Sequence, residues 1–102
     1  MNLDNATVQN NTAENRFEML TDGKLSVVEY QPYDDNTLVL THTEVALELE
    51  GQGIGSRLVK ETLEYVRQHN LQVIPLCPFV STYLKRHRDY VDVVHPAYKD
   101  KF

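Results

Sequence analysis

Apolar and polar residues alternate along the first half of the chain and then change period. Between Arg16 and Leu20, Phe17 and Met19 share one face, a period-two pattern that predicts a strand. Asp22-Gly23 follows and suits a two-residue hairpin turn. Leu25–Tyr30 reads as a second strand, and Pro32, Asp34, Asp35 and Asn36 mark the next turn. Thr37–Val45 is rich in β-branched residues and reads as a third strand. Short turns between neighbours imply an antiparallel meander. After Val45 the spacing becomes helical: Ile54, Leu58, Val59, Leu63 and Val66 form a stripe. Arg57, Lys60, Glu61, Glu64 and Arg67 lie mostly off it. Asn70 suits a left-handed residue ending that helix. Leu71–Leu76 is a short apolar run closing near Pro75, which predicts a strand at an edge or a strand end. Pro78 fits the first turn of a second helix over about Phe79–His87.

The expected fold class is therefore α+β (α/β): a three-strand antiparallel meander plus a further strand, packed with two main helices. Residues 1–13 include Asn2, Asn5, Asn10 and Asn11 with little apolar content and read as a flexible N-terminal tail. Residues 14–95 read as a single domain and residues 96–102 as a C-terminal tail. A chain of 102 residues has room for one modest core.

Charge and composition narrow the functions. The net charge of −5 argues against a nucleic-acid partner, which needs a basic surface. No apolar run approaches the roughly 20 residues of a membrane helix, and no signal peptide is visible, so a cytoplasmic location is expected. Cys77 is the single cysteine, which excludes an internal disulfide. His42, His69, His87 and His95 show no ligand spacing with Cys77, so no metal site is expected.

The chemistry concentrates in Glu50-Gly51-Gln52-Gly53-Ile54-Gly55-Ser56, between the third strand and the long helix. Glycines admit positive φ and close backbone approach. A helix N-terminus supplies free N–H groups and partial positive charge. Together they can cradle a phosphate. The run is not the nucleoside-triphosphate loop, because no Lys-Ser or Lys-Thr follows it. Nor is it the dinucleotide fingerprint, whose third glycine comes one position later. A glycine-rich turn that serves packing alone accounts for the same pattern.

The run from Thr41 to Val59, with Leu71-Gln72-Val73-Ile74-Pro75-Leu76-Cys77-Pro78-Phe79-Val80, resembles the GNAT acetyltransferase superfamily, and most its small stand-alone branch. The resemblance covers about residues 15–94. The superfamily signature is Arg or Gln, two residues, Gly, one residue, then Gly or Ala, and Gly53 and Gly55 match its last two fixed positions. Glu50 stands where Arg or Gln is usual. The resemblance implies an acetyl-CoA site. The amides of Gly51, Gln52, Gly53, Ile54, Gly55 and Ser56 would hold the pyrophosphate, and the strand ending near Val45 would pair with the pantetheine arm. Glu44, Glu48 and Glu50 oppose an anion there, and Arg57, Lys60, Lys85 and Arg86 offset them if they face the site.

Acetyl transfer to an amine calls for a proton acceptor and for protonation of the leaving thiolate. Strict alternation puts Leu38, Leu40, His42 and Glu44 on one face, which makes Glu44 and His42 candidate bases. The opposite face, Val39, Thr41, Thr43 and Val45, is the alternative. A solvated strand end accounts equally for both polar residues. Cys77 precedes Pro78 and falls near the N-cap of the second helix, where thiols gain reactivity. It is a candidate acetyl acceptor or, equally, a buried apolar residue. In many GNAT proteins an Asn begins this helix and a Tyr seven residues later is the general acid. Those positions here are Cys77 and Leu84, with Tyr83 adjacent. Two functions stay open: an N-acetyltransferase with an unknown amine acceptor, possibly a protein, and a non-catalytic acyl-CoA-binding or protein-interaction module.

Overall fold

A computed structural model describes residues 7–49 and 51–102. Five strands form one sheet in the order β1-β2-β3-β4-β5: β1 Val8–Asn11, β2 Arg16–Thr21, β3 Lys24–Asp34, β4 Thr37–Glu44 and β5 Gln72–Pro75. The first four are antiparallel neighbours, and β5 joins β4 in parallel. A parallel neighbour needs a crossover, and α1, Ile54–Gln68, supplies it. A second helix, α2, Pro78–Arg86, follows β5. Two 3-10 segments, Arg88–Val93 and Pro96–Lys101, close the chain.

Local chemistry explains the turns. Asp22 and Gly23 both have positive φ, 50° and 75°, as a tight hairpin between antiparallel strands requires. Asn70 takes φ 56° just past α1, as its position after the apolar stripe predicts. Phe17 and Met19, Val28 and Tyr30, and Leu38 and Leu40 share the sheet face that meets the helices. They form one buried cluster with Leu58, Leu63 and Val66 of α1 and Val80 and Leu84 of α2. The other face carries Leu20 and Leu25, 65% and 42% exposed, and the exposed Glu29.

Three expectations need correction. Val8–Asn11 is a strand, although it falls in the segment read as tail. Its ladder pairs Val8 with Met19 and Asn11 with Arg16, and the Tyr30 hydroxyl donates to the Asn10 side chain at 2.6 Å. An edge strand is held by such bonds and needs little apolar content. Residues 96–102 are likewise ordered: Tyr98 and Phe102 pack against the core. The turn placed at Pro32 also shifts, because β3 runs on to Asp34 through an irregularity between Pro32 and Asp34.

One local event sets up the site. Glu29 pairs with His42 and Tyr30 with Leu40, so Thr41 has no partner in the ladder. This β-bulge adds one residue to β4 and reverses the facing of everything after it. Leu40 faces the helices beside Tyr30. Thr43, paired with Val28, faces them too, whereas His42 and Glu44 go to the open face with Glu29 and Val27.

Candidate functional site

β4 and β5 pair only from Thr37–Leu40 to Gln72–Pro75. The N–H groups of Leu76 and Cys77 then both donate to the Leu40 carbonyl, at 3.0 and 2.9 Å, and Pro78 begins α2. The chain of β5 thus turns away while β4 continues to Glu44. The far half of β4 is left with no strand on its β5 side among the described residues. A free strand edge of this kind can accept an extended ligand through backbone hydrogen bonds.

Beside that edge lies a cavity of about 370 Å³, bordered by Thr43, Val45, Gly51, Gly53, Ser56 and Phe79 among others. Gly51 and Gly53 sit at φ 80° and 77°, and an added Cβ at either meets no atom within 4 Å. Their glycine identity is a matter of backbone conformation. Gly53 is also the N-cap of α1, and no side chain caps the helix there. The first amides of α1 are therefore left for a ligand, and successive N–H groups in such a loop form an anion-binding nest. Gly55 has a different reason: an added Cβ would lie 2.6 Å from Phe79 Cζ, so this glycine makes room for an aromatic ring.

The residues expected from sequence divide as follows. Val45, Gly51, Gly53, Ile54, Gly55 and Ser56 line the cavity. Gln52 is exposed at its rim and donates weakly to the Glu48 carbonyl at 3.4 Å. Glu50 lies outside the described residues. Cys77 caps α2, is 3% exposed, and sits behind the cavity wall with its Sγ 3.3 Å from the Thr43 hydroxyl. His42 and Glu44 do not share its face. The bulge turns them into a shallow second cavity on the open side of the sheet, about 560 Å³, whose border shares Thr43 and Val45 with the first. The alternation that put them beside Leu40 fails at Thr41. Glu29 joins them there, and the ligand-type atoms of Glu29, His42 and Glu44 lie within 4.8 Å of one another. Thr43 lines the cavity and belongs to the strand face read as the alternative, whereas Phe79 was not expected there. The bulge decides between the two faces for the first, and Phe79 stands two residues after Cys77 in the matching segment.

Leu84 is fully buried in the core and Tyr83 is directed elsewhere, stacked on His87 at 4.0 Å between centroids. Burial raises the Tyr83 phenol above its usual range. Of the four cations proposed to offset the acidic entrance, Arg57 pairs with Glu61 at 2.9 Å and Lys60 is exposed to solvent. Lys85 faces a separate hollow beside Tyr98 and Phe102. Arg86 borders a hollow that adjoins the glycine cavity.

The domain is thus two-layer α+β, with splayed parallel strands and an uncapped, glycine-led helix at the fork. The profile of GCN5-related N-acetyl-transferases matches residues 16–93, and the chain belongs to that family. Its structure is similar to the NMR solution structure of a GCN5-like protein from Staphylococcus aureus, given there as a candidate N-acetyltransferase. The two are 33% identical over 86% of each chain, with a TM-score of 0.64. Among the described residues, no helix is long and apolar enough to cross a membrane.

Proposed function

We propose that this chain binds acetyl-CoA in the glycine-lined cavity and transfers the acetyl group to an amine. The observation that carries the reading is the pair of left-handed glycines leading into an α1 N-terminus that no side chain caps. Gly51, Gly53, Gly55 and Ser56 would hold the pyrophosphate by backbone amides, and the free edge of β4 through Val45 would hold the pantetheine arm. When bound, acetyl-CoA supplies the activated acetyl group. Thr43 would orient the Cys77 thiol at the cavity wall, where it can accept that group as coenzyme A leaves with the thiol's proton; the amine then takes the acetyl group and its proton restores the thiol. Glu44 and His42, across β4, would take the proton of an acceptor approaching from the open face. That face suits a large acceptor such as a protein amine, and a reducing cytoplasm keeps the thiol free.

The second reading is a non-catalytic acyl-CoA-binding module. It is favoured by Leu84 standing in the core where a tyrosine acid would be, and by the burial of Cys77.

Two measurements test these readings. Amide shifts on addition of acetyl-CoA are expected at Gly51–Ser56, and their absence at millimolar ligand would overturn both. Transfer to amines should then fall at least about a hundredfold in Glu44→Gln, the low end of a general base's contribution. In Cys77→Ala an unchanged rate rejects the thiol route and leaves direct transfer.

A further inference from the structure

A hollow of about 390 Å³ lies between α2 and the end of the chain. It is bordered by Leu76, by Pro78, Ser81 and Lys85 of α2, and by Tyr98 and Lys101 of the last 3-10 segment. It shares no bordering residue with the glycine cavity. At about 100° per residue, Ser81 and Lys85 stand on a different side of α2 from Phe79, which borders that cavity.

The border combines an apolar anchor with two cations. Leu76 is 62% exposed, and its backbone N–H is tied to the Leu40 carbonyl at 3.0 Å. The side chain thus stands on a fixed backbone, between Pro75 and, two residues on, Pro78. Lys85 and Lys101 come from two different elements, and among the described residues neither has an ion-pair partner. The Lys101 ammonium lies 5.3 Å over the Tyr98 ring, a contact that orients it without cancelling its charge. The positive charge is local to this end of the chain. Residues 76–102 hold five Lys and Arg against three Asp, in a chain whose net charge is −5. One of those three, Asp92, is already paired with Arg67.

We infer that this hollow docks an acidic peptide segment of a partner protein. One bulky apolar side chain of that segment lies against Leu76 and Tyr98, and its carboxylates meet Lys85 and Lys101. Charge decides the occupant, because two unpaired cations beside an apolar surface complement an anionic, amphipathic segment. A second copy of this chain is disfavoured there by its own net negative charge. The fixed backbone under Leu76 keeps the ordering cost of docking low. Docking leaves the glycine cavity open, so the inference does not depend on what that cavity binds.

Titration of the full chain, followed by backbone amide shifts, tests it. The probe is a blocked pentapeptide of four glutamates around a central phenylalanine. Its controls replace the glutamates by glutamines, or the phenylalanine by alanine. Shifts are expected at Leu76, Ser81, Lys85 and Tyr98 and not at Gly51–Ser56, with Kd rising as salt screens the lysines. Each control peptide should bind at least about tenfold more weakly. Lys85→Gln and Lys101→Gln should each weaken binding about threefold, the scale of one exposed ion pair. Leu76→Ser should weaken it about tenfold, the scale of covering a half-exposed leucine. All three side chains are exposed, so the variants keep the fold, which their amide spectra verify. Equal binding of the glutamate and glutamine peptides overturns the inference. Shifts that fall on Arg86, Arg88 and Lys99 in place of the hollow reduce the contact to diffuse charge and overturn it too. Shifts at the hollow that grow with protein concentration, without peptide, make it an interface between copies and overturn the peptide assignment. No shift with millimolar peptide overturns it, whatever the glycine cavity binds.

Discussion

Gly51, Gly53 and Gly55 look alike in the sequence but answer to different constraints. At Gly53 the backbone is left-handed with open space around it, so Gly53→Ala is opposed by torsion and not by a clash. The expected loss of stability is about 1–2 kcal/mol, measurable by denaturant unfolding. At Gly55 the obstacle is the Phe79 ring, so alanine there should shift the aromatic resonances of Phe79. The cradle was legible as a cluster of glycines before a helical stripe. The division of labour inside it was not, because Phe79 comes from a helix more than twenty residues further on. Cys77 shows the same limit. Its place before Pro78 marked it as a cap, but its partner Thr43 is set by how two strands diverge.

Among the elements, α1 was the most readable, since its stripe of Ile54, Leu58, Leu63 and Val66 is the buried face observed. One residue on that face is polar. Thr62 is fully buried, and among the described residues its hydroxyl has no hydrogen-bond partner. An unsatisfied buried hydroxyl costs about 1–3 kcal/mol, so Thr62→Val should raise the denaturation midpoint. An unchanged or lower midpoint would mean that water satisfies the group. The strands were legible where alternation was regular. β1 escaped because an Asn-rich edge strand is held by ladder bonds, which leave little mark on composition. The facing of His42 and Glu44 escaped because a bulge is decided by pairing between strands and not by residue type.

Across the molecule, one arginine ties the C-terminal segment to the helix layer. Arg67 of α1 donates to both carboxylate oxygens of Asp92, at 2.5 and 3.1 Å, and to the Asp89 carbonyl at 2.7 Å. It also lies 4.8 Å over the Tyr90 ring, whose hydroxyl donates to Glu64 at 2.7 Å. The Arg67 guanidinium holds the Asp92 carboxyl below its ordinary range. Its stabilisation is therefore complete above the unfolded value of about 4 and is lost as pH falls through the lower folded value. Asp92→Asn should cost up to about 1 kcal/mol at pH 7, because the pair is partly exposed. The gap from wild type should close in acid unfolding curves. A gap that persists at low pH would assign the effect to packing.

The unpaired Thr41 makes the chemistry of β4 a question of parity. The bulge absorbs one residue, so His42, Thr43 and Glu44 take their sides from their pairing with Glu29, Val28 and Val27. Pairing Thr41 with Glu29 in a regular ladder would move each of them one position along β3, sending His42 and Glu44 to the glycine cavity and Thr43 to the open face, away from Cys77. The same side chains, in the same order, would then present a carboxylate to the anion cradle and a hydroxyl to the acceptor side. In this strand, register matters to the proposed chemistry as much as composition.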